Sequence, residues 1–325
     1  MSSILTMGVD VGGTKVETAL VDAGGNIVKT NRRSTGVQST PEGFLADMAA
    51  CLKELRASTP GESIGAIGLG IAGQIDPEAG RLRTSPNLPE WNDVPLRDDL
   101  ERKLGIPAVV LNDVQAATWG EWHVGAGRGE SDMLCMFVGT GVGGGLVAGG
   151  QMLRGSTGSA GELGHILLDM NGPVCTCGRI GCLEAHAGGW AIALRVQRAV
   201  AADPEAGKAL LALAGDDPKM LSAATIAEAA HGGDPLALRL VAEIGEALGA
   251  GIASMVNAFN PRLVILGGGV VEGIPELIDI AREGVRQRAL PSAAEAVRIT
   301  RAQLGGYAAV IGAALMARQR LEGEV

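Results

Sequence analysis

The sequence predicts an α/β protein of two lobes in which the second lobe repeats the secondary structure of the first. Residues 4–10 form an apolar run that ends in a glycine-containing turn, and a second apolar run follows at 16–21. The same order returns with the apolar run 133–138, the glycine-rich segment 139–145 and the run 146–148. Short apolar runs bounded by turn residues are typical of buried strands. Each half is therefore expected to begin with a strand, a glycine loop and a second strand.

A later strand that ends in glycine also occurs once in each half. Residues 64–71 are apolar and lead into Ala72-Gly73, and the apolar run 263–266 leads into Gly267-Gly268-Gly269. In α/β proteins, ligands bind beyond the carboxyl ends of such strands. The repeat predicts a duplicated fold in which two glycine loops face each other across a cleft.

Helical patterns occupy the intervals between the strands. Thr40-Pro41 is suited to begin a helix, because Thr caps the first turn and Pro is tolerated at its first position. The apolar residues that follow recur at helical spacing. Further helices are predicted at 95–104, 236–256 and 305–320.

The length of 325 residues is typical of two domains. The helix predicted at 305–320 is expected to pack back onto the first lobe, as C-terminal helices of two-lobed proteins often do. We therefore expect residues 1–111 together with 305–325 to form a small N-terminal lobe. Residues 112–304 are expected to form a larger C-terminal lobe, which contains a metal-binding loop.

Charge and hydrophobicity restrict the partners of the chain. The 36 acidic residues outnumber the 27 basic ones and give a net charge of −9, which argues against nucleic acid because phosphate binding needs a basic surface. No segment approaches the run of about 20 apolar residues that crosses a membrane. The N-terminus has neither the basic segment nor the cleavage pattern of a signal peptide. The sequence thus predicts a cytoplasmic protein that acts on a small molecule.

The first glycine loop, Asp10-Val11-Gly12-Gly13-Thr14-Lys15, has the chemistry of a phosphate site. Consecutive glycines after a strand leave backbone N–H groups free to bind phosphate oxygens. Thr14 adds a hydroxyl, Lys15 adds a cation, and the carboxylate of Asp10 is suited to hold Mg²⁺ through water. A hairpin turn that needs glycine only for its backbone is the alternative.

The second glycine loop, Gly139-Thr140-Gly141-Val142-Gly143-Gly144-Gly145, has five glycines in seven residues. So many glycines cost backbone entropy on folding, which favours contact with a ligand over a simple turn. Its place after a strand matches that of the first loop. The pair predicts that phosphates bind at both loops.

Asn112-Asp113 follows the apolar run 108–111, at the carboxyl end of a predicted strand. A carboxylate at this position is suited to accept the proton of an attacking hydroxyl, as the base does in phosphoryl transfer. An Asx turn, or the N-cap of a helix that begins near Val114, is the alternative. The residues alone leave both open.

The most specific pattern combines Gly161-Glu162-Leu163-Gly164-His165 with the cysteine-rich segment 175–184. One imidazole and three thiolates complete the tetrahedral shell of a structural zinc ion. Five cysteines without an export signal favour a metal over disulfides, and reduced thiols without a metal are the alternative. Metal binding would stiffen the segment and fix Glu162 and Glu184 beside it. The expected ligands are His165, Cys175, Cys177 and Cys182.

Together these motifs resemble those of the ROK family (repressor, open reading frame, kinase), and they are most similar to the motifs of its bacterial glucokinases. The resemblance extends over nearly the whole chain. It is carried, in chain order, by residues 10–15, 112–113, 139–145, 161–165 and 175–184. The last two segments together are specific to that family.

The resemblance implies a two-lobed, actin-like (ribonuclease H-like) ATPase fold with ATP and a sugar in the cleft. It implies ATP-dependent phosphorylation of a hexose at its primary 6-hydroxyl, with Asp113 as general base, Mg²⁺ as cofactor and zinc in a structural role. One nitrogen of His165 would bind zinc and the other would face the sugar. The implied sugar-binding residues are Gly73, Asn87, Asn112, Asp113, Glu162, His165 and Glu184. The implied nucleotide-binding residues are Asp10, Gly12, Gly13, Thr14, Lys15, Thr140, Gly141, Gly143, Gly144, Gly145, Gly267, Gly268 and Gly269.

The sugar is specified less tightly than the reaction. Glucose is expected because residues 87–89 and 161–184 are most similar to those of the glucokinases, but kinases of N-acetylhexosamines, mannose, fructose and allose share the same residues. Many relatives have Ala-Asn-Ala-Ala after the Asn-Asp pair, whereas this chain has Val114-Gln115-Ala116-Ala117, a change that affects fine sugar preference. Polyphosphate is a second candidate donor.

Two non-enzymatic functions are the remaining alternatives. A sugar-responsive repressor of the family would carry a helix-turn-helix before the first glycine loop, which begins here within about a dozen residues of Met1. A sugar-binding relative without activity would lack the base or a glycine loop, and this chain has both. The resemblance also implies a homodimer.

Overall fold

The computed structural model of the chain describes residues 4–13, 15–34 and 40–323. The chain divides into two compact units. The first unit consists of Met1–Gly129, Met152–Gly161 and Gln303–Val325, and the second consists of Glu130–Gln151 and Glu162–Ala302.

A five-stranded mixed sheet forms the centre of the first unit. The strands of this unit are β1 (Ile4–Val11), β2 (Lys15–Val21), β3 (Ile27–Ser34), β4 (Ser63–Ile71), β5 (Gln74–Asp76), β6 (Arg81–Thr84) and β7 (Ala108–Asn112). The sheet has the order β3-β2-β1-β4-β7. β1, β2 and β3 are antiparallel neighbours, whereas β4 is parallel to both β1 and β7. β5 and β6 form a separate antiparallel pair.

The second unit contains a sheet of the same topology. Its strands are β8 (Met133–Val138), β9 (Val142–Ala148), β10 (Gln151–Met152), β11 (Leu263–Gly267) and β12 (Arg298–Arg301). The order is β10-β9-β8-β11-β12, in which β8 and β9 are antiparallel and β11 is parallel to both β8 and β12. The predicted duplication is confirmed, because each sheet has an antiparallel hairpin followed by two parallel strands.

Helices connect these strands in both units. In chain order they are α1 (Pro41–Ser58), α2 (Leu96–Leu104), α3 (Asp113–Val124), α4 (Glu184–Ala187), α5 (Gly189–Ala202), α6 (Lys208–Leu213), α7 (Ala223–His231), α8 (Pro235–Phe259), α9 (Gly269–Gly273), α10 (Glu276–Arg288), α11 (Pro291–Ala296) and α12 (Ala308–Glu322). Short 3₁₀ helices lie at Leu163–His165, Pro218–Met220 and Gly305–Tyr307. None of the helices in the described part of the chain has the length and apolar character needed to cross a membrane.

Side-chain caps begin two of the predicted helices, and the first of these caps was expected from the sequence. The side chain of Thr40 accepts the N–H of Gly43 at 3.1 Å, and Pro41 occupies the first position of α1. The long helix α8 begins after Asp234, whose side chain accepts the N–H of Ala237 at 2.8 Å. These caps satisfy backbone donors that the first helical turn leaves unpaired.

Each unit has its own hydrophobic core. In the first unit, buried apolar side chains surround Phe44 and Trp91, whose rings meet edge to face at 5.4 Å. In the second unit, α8 lies at the centre of the core, and its residues Leu240, Ile244 and Leu248 are buried. The core of the second unit is built from aliphatic side chains, as the scarcity of aromatic residues in the sequence leads one to expect.

The C-terminal helix α12 lies directly on the sheet of the first unit. Glycines in β1 and β4 leave the room for this contact. A Cβ atom at Gly8 would lie 2.0 Å from the carbonyl oxygen of Val310, and one at Gly68 would lie 1.9 Å from that of Ala313. The last helix of the chain therefore completes the first unit.

The first unit includes more of the chain than the lobe expected at 1–111 and 305–325, because residues 112–129 and 152–161 also belong to it. Helix α3 packs closely on α12, and a Cβ at Gly312 would lie 1.7 Å from the carbonyl oxygen of Ala116. The boundary between the units therefore follows α3 instead of preceding it.

Candidate active site

The first glycine loop is a tight connection between β1 and β2. The N–H of Gly12 donates to the carbonyl oxygen of Lys15 at 2.9 Å and closes the hairpin. A Cβ at Gly13 would lie 3.5 Å from the side-chain amide of Asn87, so these two predicted site residues are neighbours. The side chain of Lys15 is about half exposed. Thr14, the hydroxyl expected to bind phosphate, lies outside the described residues.

Asn112 and Asp113 lie at the junction between β7 and α3. Oδ1 of Asn112 accepts the N–H groups of Val114 at 2.9 Å and Gln115 at 3.2 Å, so Asn112 is the N-cap of α3. Its Nδ2 donates to the carbonyl oxygen of Gly73 at 3.3 Å. Asp113 is the first residue of the helix, and its Oδ1 lies 3.0 Å from the N–H of Val114. The capping alternative thus applies to Asn112, which also links α3 to Gly73.

The turn that contains Gly73 requires glycine. Gly73 has a φ of +149°, and a Cβ there would lie 2.3 Å from the carbonyl oxygen of Thr84. The hydroxyl of Ser85 donates to the carbonyl oxygen of Ala72 at 2.7 Å and fixes the other side of the turn. The carbonyl group of Gly73, which accepts the hydrogen bond from Asn112, is therefore held in place by contacts with the residues at and after the end of β6.

Asp10 lies near the end of β1, close to Asp113. It pairs with Gly70 of β4, and a Cβ at Gly70 would lie 3.5 Å from the Cα of Asp113. Burial raises the pKa of Asp10 from 3.8 to about 7; the charge of Asp113 contributes to the rise and that of Lys15 opposes it. Two neighbouring carboxylates in a desolvated position favour the binding of a cation, and that cation can in turn bind a phosphate.

Gln115, where the sequence departs from many relatives, contacts backbone within the first unit. Its Nε2 donates to the carbonyl oxygens of Gly158 at 2.9 Å and Ala160 at 3.2 Å. Both N–H bonds of the amide are therefore used to hold the segment 152–161 against α3. The sequence did not indicate this contact, because the two partners are more than 40 residues further along the chain.

The second glycine loop is shorter than the sequence predicted. The N–H of Gly139 donates to the carbonyl oxygen of Gly141 at 2.9 Å, and β9 begins with the next residue. The glycines at 143–145 are therefore part of β9 and pair with β8, so their expected place in a loop was wrong. A Cβ at Gly144 would lie 2.2 Å from Cδ1 of Leu163. Close packing accounts for this glycine.

Glu184 is buried at the start of α4 and lies beside this shortened loop. Its Oε2 accepts the N–H of Val142 at 2.9 Å. Its Oε1 accepts the Thr176 hydroxyl at 3.2 Å and the Trp190 indole N–H at 3.2 Å. Sequence reasoning did not single out Thr176 or Trp190; the only signal was their nearness in sequence to the cysteine motif.

The four predicted metal ligands lie together in the second unit, and their ligand atoms are all within 4.8 Å of one another. The Sγ atoms of Cys177 and Cys182 are 3.7 Å apart, and Sγ of Cys175 is 3.8 Å from Nδ1 of His165. A tetrahedral ion with metal–sulfur bonds of about 2.3 Å places its sulfur atoms about 3.8 Å apart. The arrangement therefore fits a tetrahedral metal ion.

A tight hairpin forms this cluster. The N–H of Cys175 donates to the carbonyl oxygen of Arg179 at 2.7 Å, and the N–H of Gly178 returns to that of Cys175 at 2.9 Å. Gly178 has a φ of +82° and Gly181 a φ of +75°, which favour glycine at both positions. The two glycines between Cys177 and Cys182 thus allow the chain to fold back.

The electrostatics of the thiols also favour a cation. Burial, together with the adjacent thiols of Cys177 and Cys175, raises the pKa of Cys182 to about 12. Although burial opposes the change, the pKa of Cys177 is lowered, because hydrogen bonds from the backbone of Arg179 and from the neighbouring thiols outweigh that burial. Burial also raises the pKa of Cys175. Three clustered thiols become thiolates readily only when a metal ion offsets their charge.

His165 and Glu162 are the exposed members of the predicted sugar-binding set in this unit. Nδ1 of His165 faces the cysteine cluster, while its Nε2 lies 3.9 Å from Oε2 of Glu162. When Nδ1 binds a metal, Nε2 carries the ring proton and is a hydrogen-bond donor. The ring thus has one nitrogen for the metal and one for a ligand.

Two glycines that follow β11 differ in the space around them. Gly268 has a φ of +89°, and a Cβ there would lie 2.4 Å from the carbonyl oxygen of Val138. Gly269 begins α9, and a Cβ there would meet no atom within 4 Å among the described residues. The space beside Gly269 is compatible with the predicted nucleotide contact.

Comparison with known protein families gives one match over nearly the whole chain: the ROK family model matches residues 6–320. The glucokinase of Streptomyces coelicolor is 35% identical over 97% of this chain and 98% of its own length. The glucokinase of Thermotoga maritima is 34% identical over 99% of this chain and 100% of its own length. The N-acetylmannosamine kinase of Escherichia coli is also 35% identical, over 96% of this chain and 98% of its own length.

Solved structures agree with these relatives. The chain superimposes on a ROK family glucokinase from Streptomyces griseus, solved with glucose and AMPPNP, with a TM-score of 0.84 and 37% identity. That match covers 97% of this chain and 99% of the other. The two-lobed, actin-like sugar kinase fold that the family resemblance implied is confirmed.

Proposed function

Since this chain belongs to the ROK family, we propose that it is an ATP-dependent sugar kinase that phosphorylates the primary 6-hydroxyl of a hexose. The observation that carries the proposal is the position of Asp113. It lies at the carboxyl end of β7 and near the half-buried Asp10. A sugar kinase needs both a base for the acceptor hydroxyl and a nearby group for the cation that accompanies the phosphates.

Glucose is the proposed sugar. The relatives from Streptomyces coelicolor and Thermotoga maritima are named glucokinases, and the similar Streptomyces griseus structure contains glucose. The N-acetylmannosamine kinase of Escherichia coli and the glucokinase of Streptomyces coelicolor are both 35% identical to this chain. An N-acetylhexosamine is therefore the second candidate. Mannose, fructose and allose complete the set of candidate acceptors.

In the proposed mechanism, Asp113 accepts the proton of the sugar's primary hydroxyl while the hydroxyl oxygen attacks the γ-phosphorus of ATP. The bond between that phosphorus and the bridging oxygen breaks, and ADP leaves. Phosphoryl transfer needs little covalent chemistry from the protein, so positioning and charge neutralisation supply most of the catalysis. Asn112 contributes by fixing the first turn of α3, and hence the backbone of Asp113, through its two capping hydrogen bonds. A base aligned in this way contributes about 10²- to 10⁴-fold to the rate.

The nucleotide phosphates are proposed to bind the two glycine loops. The N–H of Gly12 is already donated to the carbonyl oxygen of Lys15, so the contribution of Gly12 and Gly13 is the room that they leave for phosphate oxygens beside the backbone, and Lys15 adds a positive charge. Mg²⁺, held through water by Asp10, would neutralise charge that develops on the transferred phosphate. The elevated pKa of Asp10 suits this role, because binding a cation offsets the cost of ionising a buried carboxylate.

The remaining residues proposed to bind the sugar hydroxyls are polar groups of both units. Glu162 and His165 offer an exposed carboxylate and an exposed imidazole Nε2. Such groups discriminate sugars by hydrogen bonding to hydroxyls, and a buried group left unpaired by the wrong sugar is costly. The proposed set is Gly73, Asn87 and Asn112 in the first unit and Glu162, His165 and Glu184 in the second.

We assign zinc as the ion of the cysteine cluster. Three thiolates and one imidazole form a soft, closed ligand set, which selects zinc over the hard cations Mg²⁺ and Ca²⁺. His165, Cys175, Cys177 and Cys182 would supply four protein ligands, as in structural sites, so the ion would stabilise the hairpin and bind no substrate. A homodimer is a further proposal based on family resemblance, and light scattering tests it. A cytoplasmic location stays a prediction from the sequence.

The test is an ADP-release assay of the purified protein over a panel of glucose, N-acetylglucosamine, N-acetylmannosamine, mannose, fructose and allose. We expect the highest kcat/KM with glucose and ATP, and a product that glucose-6-phosphate dehydrogenase oxidises. The same panel with polyphosphate as donor serves as the comparison. ADP release at the same rate with and without every sugar would exclude a sugar kinase.

A further inference from the structure

Glu184 connects the cysteine hairpin to the second glycine loop. Its side chain is 8% exposed, and both of its oxygens accept hydrogen bonds from the protein. Oε2 receives the backbone N–H of Val142 at 2.9 Å, directly after the glycine loop. Oε1 receives the hydroxyl of Thr176 at 3.2 Å, from inside the cysteine hairpin. One rigid carboxylate thus spans two elements that the sequence separates by more than 30 residues.

The glycine loop is held at two further points by the segment that follows Glu184. The N–H of Gly189 donates to the carbonyl oxygen of Gly139 at 2.9 Å, and the N–H of Trp190 donates to that of Thr140 at 3.1 Å. A Cβ at Gly141 would lie 2.4 Å from Oε2 of Glu184, so the loop lies directly against the carboxylate. The backbone of this loop therefore depends on where Glu184 is placed.

The cysteine hairpin in turn determines the position of Glu184. Thr176 lies between two of the metal ligands, and Sγ of Cys175 is 3.7 Å from Oε1 of Glu184. An ion that draws Cys175 and Cys177 together fixes the backbone between them, and hence the Thr176 hydroxyl. Hydrogen bonds to an ionised carboxylate are stronger than those between neutral groups, so they transmit this placement better than neutral contacts do.

We propose that Glu184 couples occupancy of the metal site to the affinity of the second glycine loop for nucleotide phosphates. The coupling rests on the proposed kinase function, and it adds a role for the metal beyond stability of the hairpin. Glu184 acts here as a positioning residue: it orients the Val142 N–H and the loop before it through one oxygen while the other is fixed by the hairpin. Metal binding should therefore strengthen nucleotide binding, and nucleotide binding should strengthen metal binding by the same factor.

The direct measurement is calorimetric titration of the full chain with AMPPNP, in the zinc-loaded and the chelator-treated forms, with circular dichroism to verify the fold. Loss of one charge-assisted contact corresponds to about tenfold in Kd, so chelation should raise the Kd for AMPPNP about tenfold. In Glu184→Gln, chelation should change the Kd by less than about twofold, because the connection is already broken. Equal Kd values in the two forms of the folded wild-type protein would overturn the coupling.

Thr176 provides a test that leaves all four ligands in place and does not depend on a folded metal-free form. Thr176→Val keeps the shape of the side chain and removes the donor to Glu184, whereas Thr176→Ser keeps the donor. With zinc content verified by elemental analysis, we expect the valine variant to bind AMPPNP about three- to tenfold more weakly and the serine variant to bind as the wild type does.

The sugar titration separates this coupling from a purely local effect on sugar binding. A valine variant whose Kd for glucose rises while its Kd for AMPPNP stays unchanged would overturn the proposal. Failure of the zinc-loaded wild type to bind AMPPNP at all would instead reject the proposed kinase function, and the coupling with it. The two failures are therefore distinguishable in one set of titrations.

Discussion

Only one glycine separates Asp10 from Asp113: Gly70 pairs with Asp10 in the sheet, and a Cβ on it would lie 3.5 Å from the Cα of Asp113. The two carboxylates interact, because the charge of Asp113 is, after burial, the main cause that raises the pKa of Asp10 to about 7. Adjacent acidic groups with different environments are typical of sites where one acts on a proton and the other holds a cation.

The first prediction concerns Asp113. Asp113→Asn should lower kcat by about 10²- to 10⁴-fold, because the amide cannot accept the proton of the sugar hydroxyl, while the Kd for AMPPNP stays within about threefold. Steady-state ADP release and calorimetry measure the two effects. Asp98→Asn, at a largely exposed position of α2, is the matched control and should retain wild-type kcat. Wild-type turnover in Asp113→Asn would show that another group is the base.

The second prediction is a pH dependence of stability that arises from Asp10. Its pKa is about 7 in the folded protein and 3.8 without perturbation, so the folded state binds more protons between these values. The stability linked to this group is fully present below pH 3.8 and is lost as the pH rises through 7. This rise in the pKa of Asp10 lowers the free energy of unfolding by about 4 kcal/mol once the carboxylate is fully ionised.

Asp10→Asn should remove this loss of stability at high pH, because the amide does not ionise. Without Mg²⁺ and nucleotide, the variant should be more stable than the wild type at pH 8, by up to about 4 kcal/mol, and the difference should shrink towards pH 4.5. Urea unfolding at a series of pH values measures it. A stability difference that stays constant from pH 4.5 to pH 8 would contradict the proposed ionisation of Asp10.

The order of the strands along the chain was predictable, because each strand could be recognised from its local composition. The apolar runs before Gly12 and Gly139 are short and end in residues that favour turns, so each could be assigned to a strand without knowledge of its partners. The second half of the glycine-rich segment was misassigned, because strand formation there depends on pairing with β8. Gly144 has no side chain to show that it lies under Leu163.

Site residues divided in the same way. The clustering of His165 with Cys175, Cys177 and Cys182 was predictable, because these residue types share a metal-binding chemistry and lie close together in sequence. The contacts of Thr176 and Gln115 were not predictable. The hydroxyl of Thr176 meets Glu184 only after the cysteine hairpin has folded back, and Gln115 contacts a segment more than 40 residues further along the chain. The extent of the first unit also depends on such a contact, between α3 and the far end of the chain.

A third prediction tests the role of Gln115. Gln115→Ala should destabilise the protein by about 1–3 kcal/mol, because the carbonyl oxygens of Gly158 and Ala160 lose their donor. Gln115→Glu should cost more, since it places a carboxylate against two carbonyl oxygens. Urea unfolding gives the energies, and hydrogen exchange should increase in residues 152–161. Gln151→Glu makes the same substitution at an exposed position and should have little effect; equal losses in both glutamate variants would rule out this role.

The fourth prediction concerns the metal. The wild type should contain about one zinc ion per chain, and Cys177→Ser should lose it, because serine oxygen is a poor ligand for zinc. Elemental analysis after gel filtration measures the content, and thermal unfolding should show a lower Tm in the variant. Cys51→Ser is the control: this thiol is buried in α1, 3.4 Å from the Thr18 hydroxyl and away from the cluster. Its zinc content should equal that of the wild type, and a loss of zinc there would argue against the assigned ligands.

The fifth prediction compares two glycines of one loop. In Gly141→Ala the new methyl group would lie 2.4 Å from Oε2 of Glu184, so either the carboxylate or the loop must move. In Gly139→Ala the methyl group would meet no described atom within 4 Å, and the backbone there is not in the left-handed region. We expect the first variant to bind AMPPNP at least about tenfold more weakly and the second to remain within about threefold of the wild type. Because the two substitutions add the same group two residues apart, equal weakening in both would mean that the contact with Glu184 does not determine the shape of the phosphate loop.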